Sequence, residues 1–513
     1  MKKVLTINVP FTSPGAVPYG SAVINGILKS QGYIVQAWDL SIDFTNKYSK
    51  LNHFNDFYGT NTIGGYVDYD SNNSLFKKLI KLLRTDIKQK LQQTKPDIVL
   101  LSVFSSHSLD LTVPVATWVR EFLPDAYIVI GGRGLDNVER SSRLNYAEFF
   151  SKYLPVDVCY LGDAETDIVQ VLATRPTGVY HARPVSNQDL ADVPMANWTG
   201  LDFANYKGYD TGELRIPITT SKGCVRQCTF CDVAGSWPKF VYRKGNEIAD
   251  ELIGIYHQYN IKKIEFTDNL VNGSITNFRA MNTVLADKLP NTLDYLGYAI
   301  CRPRNEFPES DFELASIAGA STFKIGIESG SERLRHDMKK KFSNDDIDWM
   351  AENCAKYNIH QLWLMFCGYP TETEQDFQDT LALLEKHKHL AQQGKITVML
   401  SLPMMLTSNS GFMRNYADQY GLEHNRYDSW SDFFWTSSKY GDNTFDVRVA
   451  RWKKFYQKIV EYGYISKNER QTEKLLEIDG LEKKYLEYHH AKKQNKTISI
   501  IDRTIHINKE THL

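Results

Sequence analysis

The chain has 513 residues, of which 42% are apolar and 24% charged, and its formal charge is -1. That length exceeds what one hydrophobic core usually holds, so two or three globular domains are expected. The near-zero charge argues against a protein that coats nucleic acid, although the last 63 residues carry 14 Lys/Arg against 9 Asp/Glu, an excess that a solvated helical face explains as well as a partner would.

The opening, "MKKVLTINVPFTSPG", has a basic pair and an apolar stretch too short for a secretion signal. No apolar run approaches the roughly 20 residues that span a bilayer. Seven cysteines, an odd number with three of them bunched, do not form a disulfide framework. A soluble chain in a reducing cytoplasm is the expectation.

In chain order, residues 1–175 alternate strand and helix. "KVLTINV", "YIVQAWD", "PDIVLLSVF", "AYIVIGGRG" and "VDVCYLGDAE" read as five buried strands, and "GSAVINGILKSQG" between the first two has a helical apolar stripe closed by Gly32. Residues 41 to about 95 interrupt the alternation as a polar insertion with one helix. The class is α/β: a doubly wound parallel sheet of the flavodoxin kind, whose ligands sit beyond the carboxyl ends of the strands. Small residues there, Ser105 and Ser106, Gly131 and Gly132, and Gly162, let backbone approach a ligand closely or simply make turns. G-x-G-x-x-G after the first strand is absent.

Residues 176–213, rich in Pro, Asn and Asp, read as a connector. A second alternation fills 214–400, with strands at 215–221, 262–268, 293–300, 321–328, 359–366 and 395–400. Capping boxes are expected at Ser310 with Glu313, Ser343 with Asp346, and Thr371 with Glu374. Six strand and helix units fit a partial (β/α)6 TIM-type barrel with its chemistry at the C-terminal mouth. Residues 401–513 read as a mostly helical, aromatic-rich region whose rings either line a substrate mouth or pack on the barrel.

Cys224, Cys228 and Cys231, in "TTSKGCVRQCTFCDV", follow the first barrel strand. Structural zinc wants four ligands, and a disulfide would leave one thiol over. Three thiolates on an iron-sulfur cluster, with one iron left open, account for the missing fourth.

The spacing C-x-x-x-C-x-x-C, with Phe230 before the last cysteine, resembles the radical S-adenosylmethionine superfamily. The resemblance implies a [4Fe-4S] cluster on the three cysteines and S-adenosylmethionine on the free iron. One electron would then cleave the sulfonium to a 5'-deoxyadenosyl radical, supplied through an external donor of the flavodoxin or ferredoxin type. By the same resemblance, the backbone at Phe230 lies near the adenine. Asp268, with Asn269, stands where the family holds the methionine amine, although the usual Gly-Gly-Glu is missing. Arg302 binds the methionine carboxylate, Glu328 with Ser329 in "GIESGSERL" takes the ribose hydroxyls, and Gly368 in "FCGYPTET" lies against adenine. Cys301 and Cys367 also follow barrel strands, and there a thiol either faces substrate or serves as a small buried hydrophobe.

A doubly wound domain before such a barrel resembles the cobalamin-binding subclass, which includes methyltransferases and anaerobic porphyrin ester cyclases. Ser105, Ser106, Gly131, Gly132 and Gly162 would then border the corrin, and the lack of D-x-H-x-x-G leaves it no histidine ligand. The implied reaction is methylation or cyclisation of an unactivated carbon of a small molecule. Two other readings stay open: a radical enzyme whose first domain is a degenerate docking module, and a noncatalytic iron-sulfur sensor. Methylthio transfer is disfavoured, since only Cys159 precedes Cys224.

Overall fold

The computed structural model describes residues 1–10, 12–13, 15–51, 74–104, 108–135, 146–407, 410–423, 431–465 and 471–493. The chain divides into two compact units. The first holds Met1–Val225, Trp237–Ala299 and Glu309–Ser321; the second holds Arg226–Ser236, Ile300–Pro308 and Thr322–Leu513.

In the first unit β1 (Lys3–Asn8), β2 (Ile34–Asp39), β3 (Ile98–Ser102), β4 (Tyr127–Gly131), β5 (Val158–Leu161) and β6 (Gly178–His181) form one parallel sheet in the order β2-β1-β3-β4-β5-β6. Every residue of β5, and all but the first or last of β1, β3 and β4, is buried, as expected of parallel strands covered by helices on both faces. On one face Val4, Val35, Ile98, Val129 and Val158 pack with Val23, Ile27 and Leu28 of the helix Tyr19–Ser30 and with Ile168, Val171 and Leu172 of the helix Ala164–Thr174. The sheet has six strands where five are expected, because β6 comes from the supposed connector. As an edge strand, half-exposed along its length, it needs no continuous apolar run. Of the insertion, the helices Leu40–Tyr48 and Ser74–Thr94 fall within the described residues, and 52–73 lie outside them.

The barrel begins at β7 (Arg215–Ile218). It is interrupted by a two-stranded antiparallel ribbon, β8 (Ser221–Lys222) with β9 (Val241–Tyr242), and resumes with β10 (Lys263–Phe266) and β11 (Asp294–Ala299). Strands β7, β10 and β11 are neighbours in parallel, returned by the helices Gly245–Tyr259, Ile275–Lys288 and Glu309–Ala318. In the second unit β12 (Ala320–Glu328), β13 (His360–Met365) and β14 (Ile396–Leu400) are likewise parallel neighbours, returned by the helices Asn344–Lys356 and Glu374–Gln392. Six strands taken up in chain order, the first five each followed by a returning helix, are those of the expected partial TIM-type barrel.

Of the three capping boxes, only Ser343 with Asp346 forms as expected. Ser310 lies inside its helix, which starts at Glu309. The helix Glu374–Gln392 is capped by Thr373 with Asp376, leaving the Thr371 hydroxyl to donate to Asp337. In the C-terminal region, Phe412, Tyr420 and Trp435 are buried with Leu334, Met338 and Tyr369, so these rings are packing groups. Long helices at Phe445–Tyr462 and Gln471–Lys493 follow. Among the described residues no helix is long and apolar enough to cross a membrane.

Candidate functional site

The three bunched cysteines lie on the excursion between β8 and β9. Gly223 opens it with φ +80°, and a Cβ there would stand 2.3 Å from the Lys239 carbonyl, so the base of the ribbon closes directly on glycine. Cys224, Cys228 and Cys231 are half-buried, and none of the three is in a disulfide. A turn joins the last two, with the Cys231 N–H donating to the Cys228 carbonyl at 3.2 Å and the Val233 N–H reaching the Cys231 sulfur at 3.4 Å. Among the described residues no three His, Cys, Asp or Glu side chains are gathered closely enough to hold a metal ion. The loop therefore carries its thiols in sequence without drawing them around a point. As a donor set, three soft thiols on one loop suit iron-sulfur chemistry better than a closed zinc site.

On its first flank the loop is fixed by charge. Lys222 Nζ lies 2.7 Å from both Asp163 Oδ1 and Glu165 Oε1, with the lysine side chain 9% exposed. The Trp237 indole N–H donates to Asp163 Oδ2 at 2.8 Å, and the Arg133 guanidinium covers the Trp237 ring at 3.9 Å. Burial works against a charge on Asp163, but Lys222 and the Trp237 N–H outweigh it and hold the carboxyl below its usual range. The strand-end turns "GGRG" and "GDAE" are thereby joined to the residues on either side of the cysteine excursion.

The other part of the loop belongs to the second unit. The Thr229 N–H donates to the Met338 carbonyl at 3.2 Å, and its hydroxyl meets the Tyr369 hydroxyl at 2.9 Å. Phe230 is half-buried, edge-on to Phe366 at 5.2 Å. Nearby, Glu328 holds Lys340 in a buried ion pair at 2.7 Å. Burial opposes the charge on Lys340, and the Glu328 carboxylate is the main group that offsets it, so its pKa is raised.

The expected S-adenosylmethionine residues divide by how fully they are engaged. Asp268 is 2% exposed, accepts from the Thr220 and Ser221 N–H groups at 2.6 and 3.0 Å, and also accepts from the Thr220 hydroxyl. Burial pushes its carboxyl up to about 6. It braces the exit of β7, while Asn269 beside it is half-buried. The Ser329 hydroxyl is bonded to Thr380 at 2.9 Å and accepts from the Ser331 N–H. Arg302 pairs with Glu306 at 3.0 Å. Gly368 has φ +91°, and a Cβ there would meet the Arg448 side chain at 2.5 Å, so a fully buried arginine already demands this glycine. Cys301 and Cys367 are buried, and burial pushes the Cys301 thiol up to about 12 and Cys367 well above its ordinary value.

The expected corrin-facing glycines are also engaged by the sheet. At Gly132, φ +118°, a Cβ would stand 2.4 Å from the Val103 carbonyl; at Gly162, φ +104°, it would meet the Ala182 side chain at 2.9 Å; at Gly131 the Tyr160 carbonyl lies at 3.3 Å. Ser105 and Ser106 lie outside the described residues. Sequence reasoning missed Lys222, Trp237 and Lys340. The signal for the first two was their position, two residues before Cys224 and six after Cys231; Lys340, inside "MKKKF", looks like a solvated charge run.

Residues 218–384 match the model of the Radical SAM superfamily, so the barrel of this chain is a radical S-adenosylmethionine domain. The chain as a whole is similar in fold to solved radical S-adenosylmethionine enzymes. TsrM from Kitasatospora setae, described as a radical S-adenosylmethionine methyltransferase, has the same fold. Its structure with tryptophan and a S-adenosylmethionine analogue matches with a TM-score of 0.59 over 91% of this chain and 89% of that one, at 14% identity. Another structure of TsrM holds cobalamin and a [4Fe-4S] cluster, and matches at a TM-score of 0.55, covering 82% of this chain and 77% of that one at 16% identity. An uncharacterized methyltransferase of Pyrococcus horikoshii is 23% identical over 320 residues, 59% of this chain and 67% of that protein. The anaerobic magnesium-protoporphyrin IX monomethyl ester cyclase of Synechocystis sp. is 20% identical over 324 residues, 59% of this chain and 62% of that protein.

Proposed function

We propose that the protein is a cobalamin-dependent radical S-adenosylmethionine enzyme that methylates an unactivated carbon of a small molecule. The observation that carries this reading is the trio Cys224, Cys228 and Cys231 on the excursion after the first strand of a radical S-adenosylmethionine domain, with a doubly wound sheet ahead of it. When bound, the cluster supplies the electron that splits the sulfonium, and the corrin supplies a methyl carrier. The chain's own part is to bind and orient. The three thiols hold the cluster, Glu328 takes the ribose, Arg302 the methionine carboxylate, and Phe230 and Gly368 border the adenine.

Protein made anaerobically with hydroxocobalamin supplied is expected to show a corrin absorption band, iron and sulfide, and to release 5'-deoxyadenosine from S-adenosylmethionine. Incubated with cell extract, methyl-labelled S-adenosylmethionine is expected to pass its label to a product. Deoxyadenosine without transferred label would favour cyclisation, the reaction named for the Synechocystis relative. A second reading, in which the first domain serves docking, draws on Gly132 and Gly162, whose open sides are taken up by Val103 and Ala182, and on Asp163, which is engaged by Lys222 and Trp237. Iron and deoxyadenosine without any corrin band would select it.

A further inference from the structure

Lys339, Lys340 and Lys341 sit in a turn with an unusual backbone. Lys339 and Lys341 are left-handed, at φ +60° and +56°, and Glu328, the partner of Lys340, is left-handed at +66°. Non-glycine residues adopt this conformation only where surrounding contacts impose it. Its effect here is to send Lys339 and Lys341 to the surface and Lys340 inward, where the residue is 6% exposed. The Lys340 ammonium lies 2.7 Å from Glu328 Oε1 and faces the rings of Phe230 at 5.7 Å and Phe342 at 5.8 Å. Gly326 forms the floor: a Cβ there would stand 2.4 Å from Glu328 Oε1 and 2.9 Å from Lys340 Nζ. The turn also reaches the cysteine loop itself, since the Met338 carbonyl accepts the N–H of Thr229, the residue after Cys228.

A buried lysine on a strained turn, seated on a glycine that makes room for it, is a costly arrangement if it serves only to hold the fold. We propose that Lys340 is a positioning residue for the cysteine loop: its ammonium fixes the Glu328 carboxylate and, 5.7 Å from the Phe230 ring of that loop, supplies a positive charge that stabilises an electron-rich iron-sulfur cluster. The inference rests on the cluster reading above. A cation held in a medium of low dielectric favours the more negative, reduced state of a neighbouring centre, so Lys340 raises the cluster's reduction potential.

The test is a reductive titration of reconstituted protein followed by electron paramagnetic resonance, with equilibrium binding of S-adenosylmethionine measured alongside. Lys340→Met is expected to lower the midpoint potential and weaken binding tenfold or more, while Lys340→Arg retains most of both. Glu328→Gln, which leaves the ammonium in place, is expected to weaken binding without lowering the potential. Gly326→Ala displaces the pair while keeping both charges and is expected to shift both readouts in the Lys340→Met direction by less, which keeps the test open should Lys340→Met not fold. If the variants match the parent in iron, sulfide, potential and affinity, the role of Lys340 is overturned. If the parent itself holds neither iron nor sulfide, the cluster reading is overturned and this inference falls with it.

Discussion

Cys224, Cys228 and Cys231 are half-buried, whereas Cys159 is fully buried in β5 and its thiol is pushed up to about 12. Single serine substitutions in the trio are expected to abolish iron and sulfide content and deoxyadenosine release while leaving the circular dichroism unchanged. Cys159→Ser is expected to keep its iron and to cost about 1–2 kcal/mol in denaturant unfolding, as a polar group placed in an apolar core. Glu372 gives a prediction in pH. It is 6% exposed, and burial pushes its carboxyl up to about 7, although the Gly368 N–H and Arg451 bond to it. The folded state then binds more protons than the unfolded state between the ordinary carboxyl value and 7, so stability falls as pH rises through that window and levels off above it. Glu372→Gln should remove this slope, so the stability of the variant relative to the parent rises by on the order of 1–3 kcal/mol between pH 5 and pH 8, read from urea midpoints. The thiol trio was legible in the sequence because its spacing is local. The work of Asp268 and Lys340 was not, because it depends on partners 47–48 and 12 residues away respectively.

At the scale of elements, the ribbon β8-β9 is the piece that sequence periodicity passed over. Its strands are two residues each, too short for alternation to register, and "RIPITTS" reads as a single strand running through to Ser221. The ribbon nonetheless fixes the first flank of the cysteine loop through Lys222. Lys222→Met is expected to leave Asp163 and Glu165 buried without their cation and to destabilise the protein by about 3–5 kcal/mol, measured by denaturant unfolding. Asp163→Asn in the same background should recover part of that loss, because it removes one of the stranded charges. The longer elements were legible: five of the six barrel strands lie within two residues of the apolar runs that announced them, and β7 stops three residues early. The edge strand β6 and the cap at Thr373 were decided by pairing and by side-chain geometry, neither of which leaves an apolar pattern.

For the whole molecule, the order of parts in the chain, a doubly wound sheet and then a barrel with three thiols after its first strand, was readable because each rests on strand periodicity and motif spacing. What the aromatic C-terminal region does for substrate was not, since Phe412, Tyr420 and Trp435 are spent on packing. With corrin and cluster assigned to different parts of the chain, the proposed function predicts separable losses. Protein with all three loop cysteines changed to serine, made with hydroxocobalamin, is expected to lose iron yet keep the corrin band and the rise in melting temperature that corrin gives the parent. The anchors of the cysteine excursion bear on its upkeep. Lys222 with its two carboxylates, Trp237 on Asp163, and Thr229 on Met338 hold the backbone through contacts that involve no metal. In small zinc modules, by contrast, removing the ion unfolds the chain. Here a molecule bleached by oxygen is expected to keep these anchors, so that fresh iron and sulfide restore the centre without a new round of folding.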